Sequence, residues 1–246
     1  IVSDKRVYKS VSYGRDWTSM VPESQQYHFH GIGLSPFDRN VALIGSVGSG
    51  QWEDESGKVY RTDDGGITWS DSSTGIPNNP YSIHTIHFSK EEEGVVLMGT
   101  YYGGIDHNSF EPAMGMYRSV DNGESWSEVD LSVQNVPKIT ECNGSIWAAT
   151  DQGLYRSVDA GASWELNQAP EIGRGMVSVG CSGDLIFYID TYGTIHRSDD
   201  AGANWRFYGI NYFSSGNVRQ VTIQIDSDHE QVWITSRGYG VYTLDL

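Results

Sequence analysis

Basic residues and long apolar runs are both scarce in this chain of 246 residues, and each scarcity excludes a class of partner. The chain has only 16 lysines and arginines but 32 aspartates and glutamates, so its formal net charge at pH 7 is −16. Nucleic acids and anionic membrane surfaces attract basic proteins, and we therefore expect neither as a partner. The apolar runs are no longer than stretches such as 95–98, far too short to cross a bilayer, so no membrane insertion is expected.

Cysteine is also scarce, since the chain has only Cys142 and Cys181. Two cysteines cannot build a disulfide framework. The internal repeat described below aligns both with one core position of neighbouring repeats, and equivalent positions in adjacent sheets are usually too far apart for a bond. The sequence therefore predicts two small buried hydrophobic residues and no disulfide.

Glycine and large aromatic residues are abundant instead, with 29 glycines, 15 tyrosines and 8 tryptophans. Short β-strands joined by glycine-rich turns have this composition. The acidic surface suits a secreted or extracytoplasmic protein. Because neither a leader nor an initiating methionine precedes Ile1, we expect a mature or excised piece of a longer polypeptide.

One phrase recurs along the chain. It reads "KVYRTDDGGITW" at 58–69, "MYRSVDNGESW" at 116–126, "LYRSVDAGASW" at 154–164 and "IHRSDDAGANW" at 195–205. A worn copy, "VYKSVSYGRDW", occupies 7–17. A metal or phosphate site would not be needed four times in one small chain, whereas a structural corner would be.

The shared residues of the phrase fit a hairpin turn between two strands. An aspartate can accept backbone N–H groups of its own loop, and a glycine can adopt positive φ. A tryptophan begins the next strand and packs between sheets. Ser12 replaces the acid in the worn copy, which predicts a weaker corner. The predicted corner residues are Asp64, Gly66, Trp69, Asp121, Gly123, Trp126, Asp159, Gly161, Trp164, Asp200, Gly202 and Trp205.

This frame resembles the Asp-box, or BNR repeat, which in its family closes the turn between the third and fourth strands of a β-propeller blade and is not catalytic. The resemblance implies an all-β protein, a β-propeller of four-stranded antiparallel blades that forms a single domain over residues 1–246. Counting strands gives two for a first blade, four complete blades and three strands for a last one. The first and last blades are thus incomplete, and we expect six or seven blades once other parts of the chain, or other chains, complete the propeller.

Propeller topology places the loops that follow second strands on the face opposite the boxes. Two of these loops, 45–57 and 99–115, are long and rich in aromatic residues and acids. Aromatic rings beside polar groups suit a carbohydrate, although loops that pack only on themselves have the same composition. The predicted substrate-binding residues of this face are Trp52, Tyr101, Tyr102, Phe110, Tyr192, Arg237 and Tyr239.

Glycoside hydrolysis would require two carboxylates flanking the scissile bond. The candidates are Asp106, Asp151 and Asp190, and their spacing singles out no pair, so whether the chain is an enzyme stays open. Asp-box propellers include xyloglucan-cleaving hydrolases and sortilin-type receptors. We therefore keep two hypotheses: a secreted propeller that recognises or hydrolyses a carbohydrate, and a non-catalytic domain for protein binding or assembly. No cofactor is expected under either.

Three histidines fall at the starts of two adjacent inner strands: His28, His30 and His84. Three imidazoles close together could hold zinc or a similar metal. Polar residues that line a water-filled channel would explain them equally well. We predict no metal, with these histidines as the candidates if one binds.

Overall fold

The computed structural model describes residues 2–3, 6–20, 28–47, 57–77, 82–101, 115–167, 175–209, 221–226, 231–236 and 240–245. All regular structure in these ranges is β-strand. Accordingly, none of the described residues forms a helix with the length and apolarity needed to cross a membrane. The chain divides into two compact units, Ile1–Asn135 and Val136–Leu246, and a single domain over 1–246 stays a prediction.

The first unit contains three antiparallel sheets, and neighbouring strands of each sheet follow one another along the chain. The first sheet has three strands and the next two have four. The strands are β1 (Val2–Ser3), β2 (Arg6–Lys9), β3 (Thr18–Met20), β4 (His28–Leu34), β5 (Ala42–Val47), β6 (Val59–Thr62), β7 (Ser70–Asp71), β8 (Ile83–Phe88), β9 (Val96–Thr100), β10 (Met116–Ser119) and β11 (Ser127–Glu128).

The second unit continues the same pattern with two four-stranded sheets and one three-stranded sheet. Its strands are β12 (Lys138–Cys142), β13 (Ser145–Thr150), β14 (Gly153–Ser157), β15 (Glu165–Asn167), β16 (Met176–Ser182), β17 (Leu185–Asp190), β18 (Ile195–Ser198), β19 (Arg206–Gly209), β20 (Val221–Asp226), β21 (Gln231–Ser236) and β22 (Gly240–Asp245).

The four complete sheets and the three-stranded last sheet confirm the strand count from the sequence, apart from the first sheet. There the prediction of two strands was wrong, because Val2 and Ser3 also pair with Val7 and Arg6. A strand of two residues carries no periodic pattern that sequence analysis could detect.

The second strands of the complete sheets lie in the core. All five residues of β9 and all six of β13 are buried. Strands that are covered on both faces are apolar throughout instead of alternating, which is how 96–100 and 145–150 read. Each unit has its own buried clusters between successive sheets, centred on residues such as Leu43 and Met98 in the first and Trp147 and Phe187 in the second.

Each box corner is closed by its aspartate. In the corner at 157–164, Asp159 Oδ1 accepts the Ser157 hydroxyl and the Ser163 N–H, both at 2.8 Å, and Oδ2 accepts the Ser163 hydroxyl. The Ser157 hydroxyl in turn accepts the Gly161 N–H at 2.8 Å. The carboxylate therefore takes the place of the strand-to-strand bonds that a turn cannot make. The same pattern surrounds Asp64, Asp121 and Asp200.

Two consecutive residues of each corner have left-handed backbone conformations. The predicted glycines do so, with φ between 77° and 92° for Gly161 and Gly66 at the extremes. The residue before each glycine has positive φ as well, which the sequence did not reveal, because two of these residues are alanines, Ala160 and Ala201, with φ of 51° and 54°. An alanine in this region costs roughly 1–2 kcal/mol relative to a right-handed conformation.

The corners also fasten one sheet to the sheet before it. A Cβ on Gly123 would lie 2.4 Å from Leu43 Cδ1, and one on Gly202 would lie 2.4 Å from Trp147. The Trp126 indole N–H donates to the carbonyl of Ser72 at 2.9 Å across the sheet boundary. Gly123 and Gly202 are therefore required by close approach as well as by φ.

The worn corner at 10–17 keeps only part of this bonding. The Ser10 hydroxyl accepts the Gly14 N–H at 2.8 Å, while the Ser12 hydroxyl accepts only the Asp16 N–H. Trp17 is 46% exposed, against 4% for Trp126. A single hydroxyl thus replaces a carboxylate that accepts several bonds elsewhere, and the tryptophan is packed less completely.

Cys142 and Cys181 form a disulfide, so the prediction of two unbonded cysteines was wrong. Their Cα atoms are 6.1 Å apart, within the usual range for a disulfide. The first strands β12 and β16 approach closely at this end, where the Asn143 amide also donates to Asp184. The sequence places the cysteines at equivalent positions but contains no information on the distance between the sheets.

We expect the Asp159→Asn variant to be less stable than the wild type near pH 7, by about 1 kcal/mol, the usual net worth of a lost hydrogen bond. The bonds from Ser163 lower the Asp159 pKa from 3.8 to about 2. A carboxyl whose pKa is lower in the folded state stabilises the fold above the unfolded pKa and loses this effect as pH falls through the folded pKa.

Urea unfolding near pH 7 and near pH 2.5, followed by tryptophan fluorescence, measures this difference. The difference in free energy of unfolding between wild type and variant should be smaller near pH 2.5. Glu165→Gln, an exposed acid in the same sheet, is the matched control and should behave like the wild type at both. A gap of equal size at both pH values would show that the carboxylate charge is not what closes the corner.

Replacing Ala160 by glycine should raise the free energy of unfolding by up to about 1 kcal/mol, because it removes the left-handed strain of an L side chain. Ala162, two residues away, does not have positive φ. Ala162→Gly should therefore lower stability through the added freedom of the unfolded chain. Melting temperatures of the two variants must move in opposite directions for the strain argument to hold.

Loss of the disulfide in the Cys142→Ala, Cys181→Ala double variant should destabilise the protein by about 2–4 kcal/mol. The bond closes a separation of 39 residues, for which chain entropy alone gives about 4 kcal/mol. Thermal unfolding with and without dithiothreitol tests this. The reductant should lower the wild-type melting temperature and leave the double variant unchanged, and an insensitive wild type would contradict the expectation.

Candidate functional site

The predicted ligand face lies at the strand ends opposite the boxes, and in the first unit three aromatic side chains meet there. His30 lies near the start of β4, His84 near the start of β8, and Tyr101 directly follows β9. Because β8 and β9 are antiparallel, the start of one and the end of the other share an edge. From this edge the chain runs on into the long segments 48–56 and 102–114.

These three side chains form a continuous row of rings, which we call the ring row. The centroids of the His30 and His84 rings are 5.4 Å apart, with planes at 86°. The Tyr101 ring lies 5.0 Å from that of His84, tilted by 46°. Edge-to-face and tilted arrangements of this kind are the favourable ones for aromatic pairs. The contacts between the rings therefore stabilise their arrangement.

Ser82 contacts two members of the ring row, Tyr101 and His30. It is buried, its carbonyl accepts the Tyr101 N–H at 3.0 Å, and its hydroxyl lies 3.4 Å from His30 Nδ1. An isolated antiparallel bridge also pairs Ser82 with Val47 at the end of β5. Two neighbouring sheets of the first unit thus fix the row through one residue.

The ring row is accessible to a ligand. His30 is exposed, and His84 and Tyr101 are half-buried. Flat rings offer faces for C–H groups, while the imidazole nitrogens and the phenol can bond to hydroxyls. This combination matches the polar and apolar sides of a sugar ring.

The histidines do not assemble a metal centre in the part of the chain that the structure describes. His28 is placed in β4, and its side chain lies outside the described residues. No group of three or more histidine, cysteine, aspartate or glutamate side chains suited to a metal ion occurs among the described residues.

In the second unit, Asp190 occupies a corner between β17 and β18. It is 1% exposed, and its Oδ1 accepts the N–H groups of Tyr192 at 2.9 Å and Thr194 at 2.8 Å. The N–H of Gly193 donates to its carbonyl. These are the bonds of a turn-closing aspartate, and they hold the carboxylate away from solvent, although the sequence made it a catalytic candidate.

A buried histidine that the sequence analysis missed stands behind Asp190. The His196 ring stacks on that of Tyr188, with centroids 4.5 Å apart and planes at 11°, and its Nε2 lies 3.9 Å from Asp190 Oδ2. Neither ring nitrogen has a hydrogen-bond partner among the described residues. His196 occupies the position that is tyrosine in the other intact boxes. This replacement of tyrosine by histidine is the sequence feature that could have identified it.

The other candidates of the second unit lie close to the same corner. Tyr192 is 54% exposed, and Asp151 is half-buried. Gly175 lies between Asp151 and the corner of Tyr192. Its carbonyl accepts the Thr191 N–H at 2.9 Å, and a Cβ on it would lie 3.3 Å from the Asp151 carbonyl. The structure thus brings Asp151 and the Tyr192 corner to one edge.

The remaining predicted site residues lie outside the described residues and stay predictions. They are Trp52, Tyr102, Asp106, Phe110, Arg237 and Tyr239.

Several known proteins are similar to this chain. A xyloglucanase from Hypocrea jecorina (strain QM6a) is 26% identical over 124 residues, which are 50% of this chain and 14% of the xyloglucanase. The crystal structure of an ancestral GH74 enzyme matches 98% of this chain and 34% of its own, with a TM-score of 0.73 and 15% identity. The protein YCF48 from Cyanidioschyzon merolae matches 89% of this chain and 67% of its own, with a TM-score of 0.57 and 18% identity.

These relatives are longer than this chain, which spans only 14% of the xyloglucanase and 34% of the GH74 enzyme. At identities of 15% and 18%, the two solved structures establish the fold, and their activities are not transferred by it. The sheets described above are accordingly β-propeller blades with Asp-box turns between the third and fourth strands.

A model of one family covers more than half of the chain. It is the model described as "Sortilin, neurotensin receptor 3", and it matches residues 5–144. This range includes the worn corner, two intact boxes and the whole ring row. The chain therefore belongs to the Sortilin-Vps10 family.

Proposed function

We propose that this chain recognises a carbohydrate through the ring row and the long loops beside it, as part of a larger hydrolase-like protein. The ring row carries the proposal, because it combines exposed and half-buried aromatic rings with hydroxyl-binding groups at the edge where both long loops begin. In the proposed site Trp52, Tyr102 and Phe110 extend the surface. The similarity to a xyloglucanase over half of the chain supports a glycan as the ligand.

The charge of the chain favours a neutral glycan. A net charge of −16 repels uronate-containing or sulfated polysaccharides, and the ring row itself contains no acid. Stacking on sugar C–H faces requires no charge on the ligand. We therefore propose a neutral polysaccharide such as a glucan as the substrate class.

For hydrolysis we propose Asp106 and Asp151 as the acids. A general acid or nucleophile must contact the substrate, and Asp190, which is buried and bonded within its own turn, is not placed to do so. We assign Asp190 instead to positioning the exposed Tyr192. Arg237 and Tyr239 remain proposed substrate contacts on neighbouring corners.

We also propose that the protein is secreted or otherwise extracytoplasmic. The disulfide between Cys142 and Cys181 supports this location, because such bonds form and persist in oxidising compartments.

The Tyr101→Ala variant should bind xyloglucan oligosaccharides about tenfold more weakly than the wild type, which corresponds to roughly 1.4 kcal/mol for one truncated aromatic contact. The Tyr101 backbone N–H keeps its bond to Ser82, so the fold should be preserved. Calorimetric titration measures the affinity. Tyr13→Ala, at a fully exposed tyrosine of the worn corner, is the matched control and should bind like the wild type. Equal affinity of both variants would refute the role of the ring row.

A second function is supported by the family model, whose description names receptors. We propose as the alternative a non-catalytic extracytoplasmic domain that binds a protein. A reducing-sugar assay with neutral polysaccharides separates the two: turnover that is lost in Asp151→Asn supports the hydrolase, while neither binding nor turnover on any glycan supports the protein-binding domain.

A further inference from the structure

One lysine of the second unit, Lys138, projects toward the neighbouring sheet. It is the first residue of β12 and pairs with Ala149 of β13. Cross-strand partners project from the same face of a sheet, and Ala149 is buried in the cluster that contains Met176 of the next sheet. Two residues further along this face of β12, the Thr140 hydroxyl lies 3.9 Å from Cys181 Sγ of that sheet. The side chain of Lys138 is therefore directed at the space between the two sheets.

Lys138 lies at the edge of the second unit that carries Asp151 and Tyr192. Because β12 and β13 are antiparallel, the start of β12 and the end of β13 share an edge, and Asp151 directly follows β13. Gly175 connects this edge to the corner of Tyr192. The lysine thus belongs to the same edge as two of the predicted site residues.

The ammonium group of Lys138 has no partner in the part of the chain that the structure describes. It forms neither an ion pair nor a hydrogen bond there. Other lysines are held by acceptors: Lys58 Nζ forms an ion pair with Asp71 at 2.7 Å, and Lys9 Nζ donates to the carbonyl of Gly65 at 2.7 Å. Lys138 therefore differs from them in its surroundings.

Burial without a partner favours the neutral form of this amine. Lys138 is half-buried, and Ala149 and Met176, which are directed at the same space, are buried and apolar. Water that the ammonium loses is not replaced by an acceptor, so the charged form is destabilised. Burial accordingly lowers the pKa of Lys138 below its ordinary value of 10.5. A desolvated lysine of this kind is a nucleophile, because only the neutral amine has a free lone pair.

We propose that Lys138 is a covalent attachment site for an aldehyde that reaches this edge of the second unit. The Nζ lone pair attacks the carbonyl carbon, and a C–N bond forms as the carbonyl π bond breaks. The two amine hydrogens then leave with the carbonyl oxygen as water, which gives an imine. Addition of water reverses the step, and neither an oxidant nor a reductant is consumed.

An aldehyde suits this site for two reasons of charge. The imine is uncharged, so it loses less on burial than the ammonium does. The net charge of −16 repels anionic electrophiles and leaves neutral ones unaffected. A free small aldehyde and the open-chain form of a reducing sugar both offer the required carbonyl.

The direct test is reductive trapping of the whole chain near pH 7 with glycolaldehyde and cyanoborohydride, followed by peptide mass spectrometry of each lysine. Cyanoborohydride donates hydride to the imine carbon and converts the adduct into a stable secondary amine. Lys138 should be labelled at least about tenfold faster than Lys58, which is paired, and Lys90, which is exposed, since a pKa lower by one gives a tenfold larger neutral fraction. Equal rates at the three lysines, or no label on Lys138, would overturn the proposal.

A pair of variants confirms which amine reacts. Lys138→Arg keeps a cation at the position but has no primary amine, so the fast phase of labelling should be lost. Lys90→Arg is the matched control and should keep the fast phase. If the fast phase survives in Lys138→Arg, another amine is the site.

Two further probes identify the source of the aldehyde. Label on Lys138 from a xyloglucan oligosaccharide with a free reducing end indicates a sugar, and label from glycolaldehyde alone indicates a small free aldehyde. The same oligosaccharide reduced to its alditol has no carbonyl, so label from it would contradict an imine. Lys138 is not part of the ring row, and Lys138→Arg should bind glycans like the wild type. This test and the test of the proposed function can therefore fail separately.

Discussion

The carboxylate of the box corner is the interaction on which the rest of the fold depends. The outer strands are too short to hold themselves: β7 and β11 have two residues each and pair with their neighbours at two positions. What fixes them is the preceding corner, where one aspartate accepts two or more N–H and hydroxyl groups at 2.5–2.9 Å. A charged acceptor makes each of these bonds stronger than a neutral one would.

The same corner joins one sheet to the next, and this leaves the opposite edge free to change. Gly123 lies against Leu43 of the preceding sheet, and Gly202 lies against Trp147. The indoles of the same two corners also donate to the preceding sheet, Trp126 to the Ser72 carbonyl and Trp205 to the Asn167 side chain. At the other ends of the strands, the loop after β13 needs only Asp151 and Gln152, whereas the loops after β5 and β9 are long. The stabilising corners and the proposed ligand site at the ring row therefore lie at opposite ends of the same strands, so the ring row can be remodelled without loss of the corners.

Sequence analysis found what is local and periodic. The strand order and the box geometry follow from a repeated phrase with fixed spacing, so both could be predicted. The disulfide could not, because it depends on the distance between two sheets, and neither could the strand of Val2 and Ser3, which is too short for a pattern. The left-handed Ala160 and Ala201 were missed for a different reason: the corner forces a conformation that their residue type does not favour.

Asp190, one of the three acids that the sequence offers as catalytic candidates, is bonded within its own turn. Its Oδ1 accepts two N–H groups of the turn that follows, which is the same chemistry that Asp159 performs at a box. A carboxylate that is committed to backbone donors is held in one orientation and shielded from substrate, whichever face of the blade it occupies. What this corner presents to solvent is Tyr192, whose position the buried acid determines. Ligand contacts of this edge should therefore be sought on the ring of Tyr192 and on Asp151, and substitution of Asp190 should act through them.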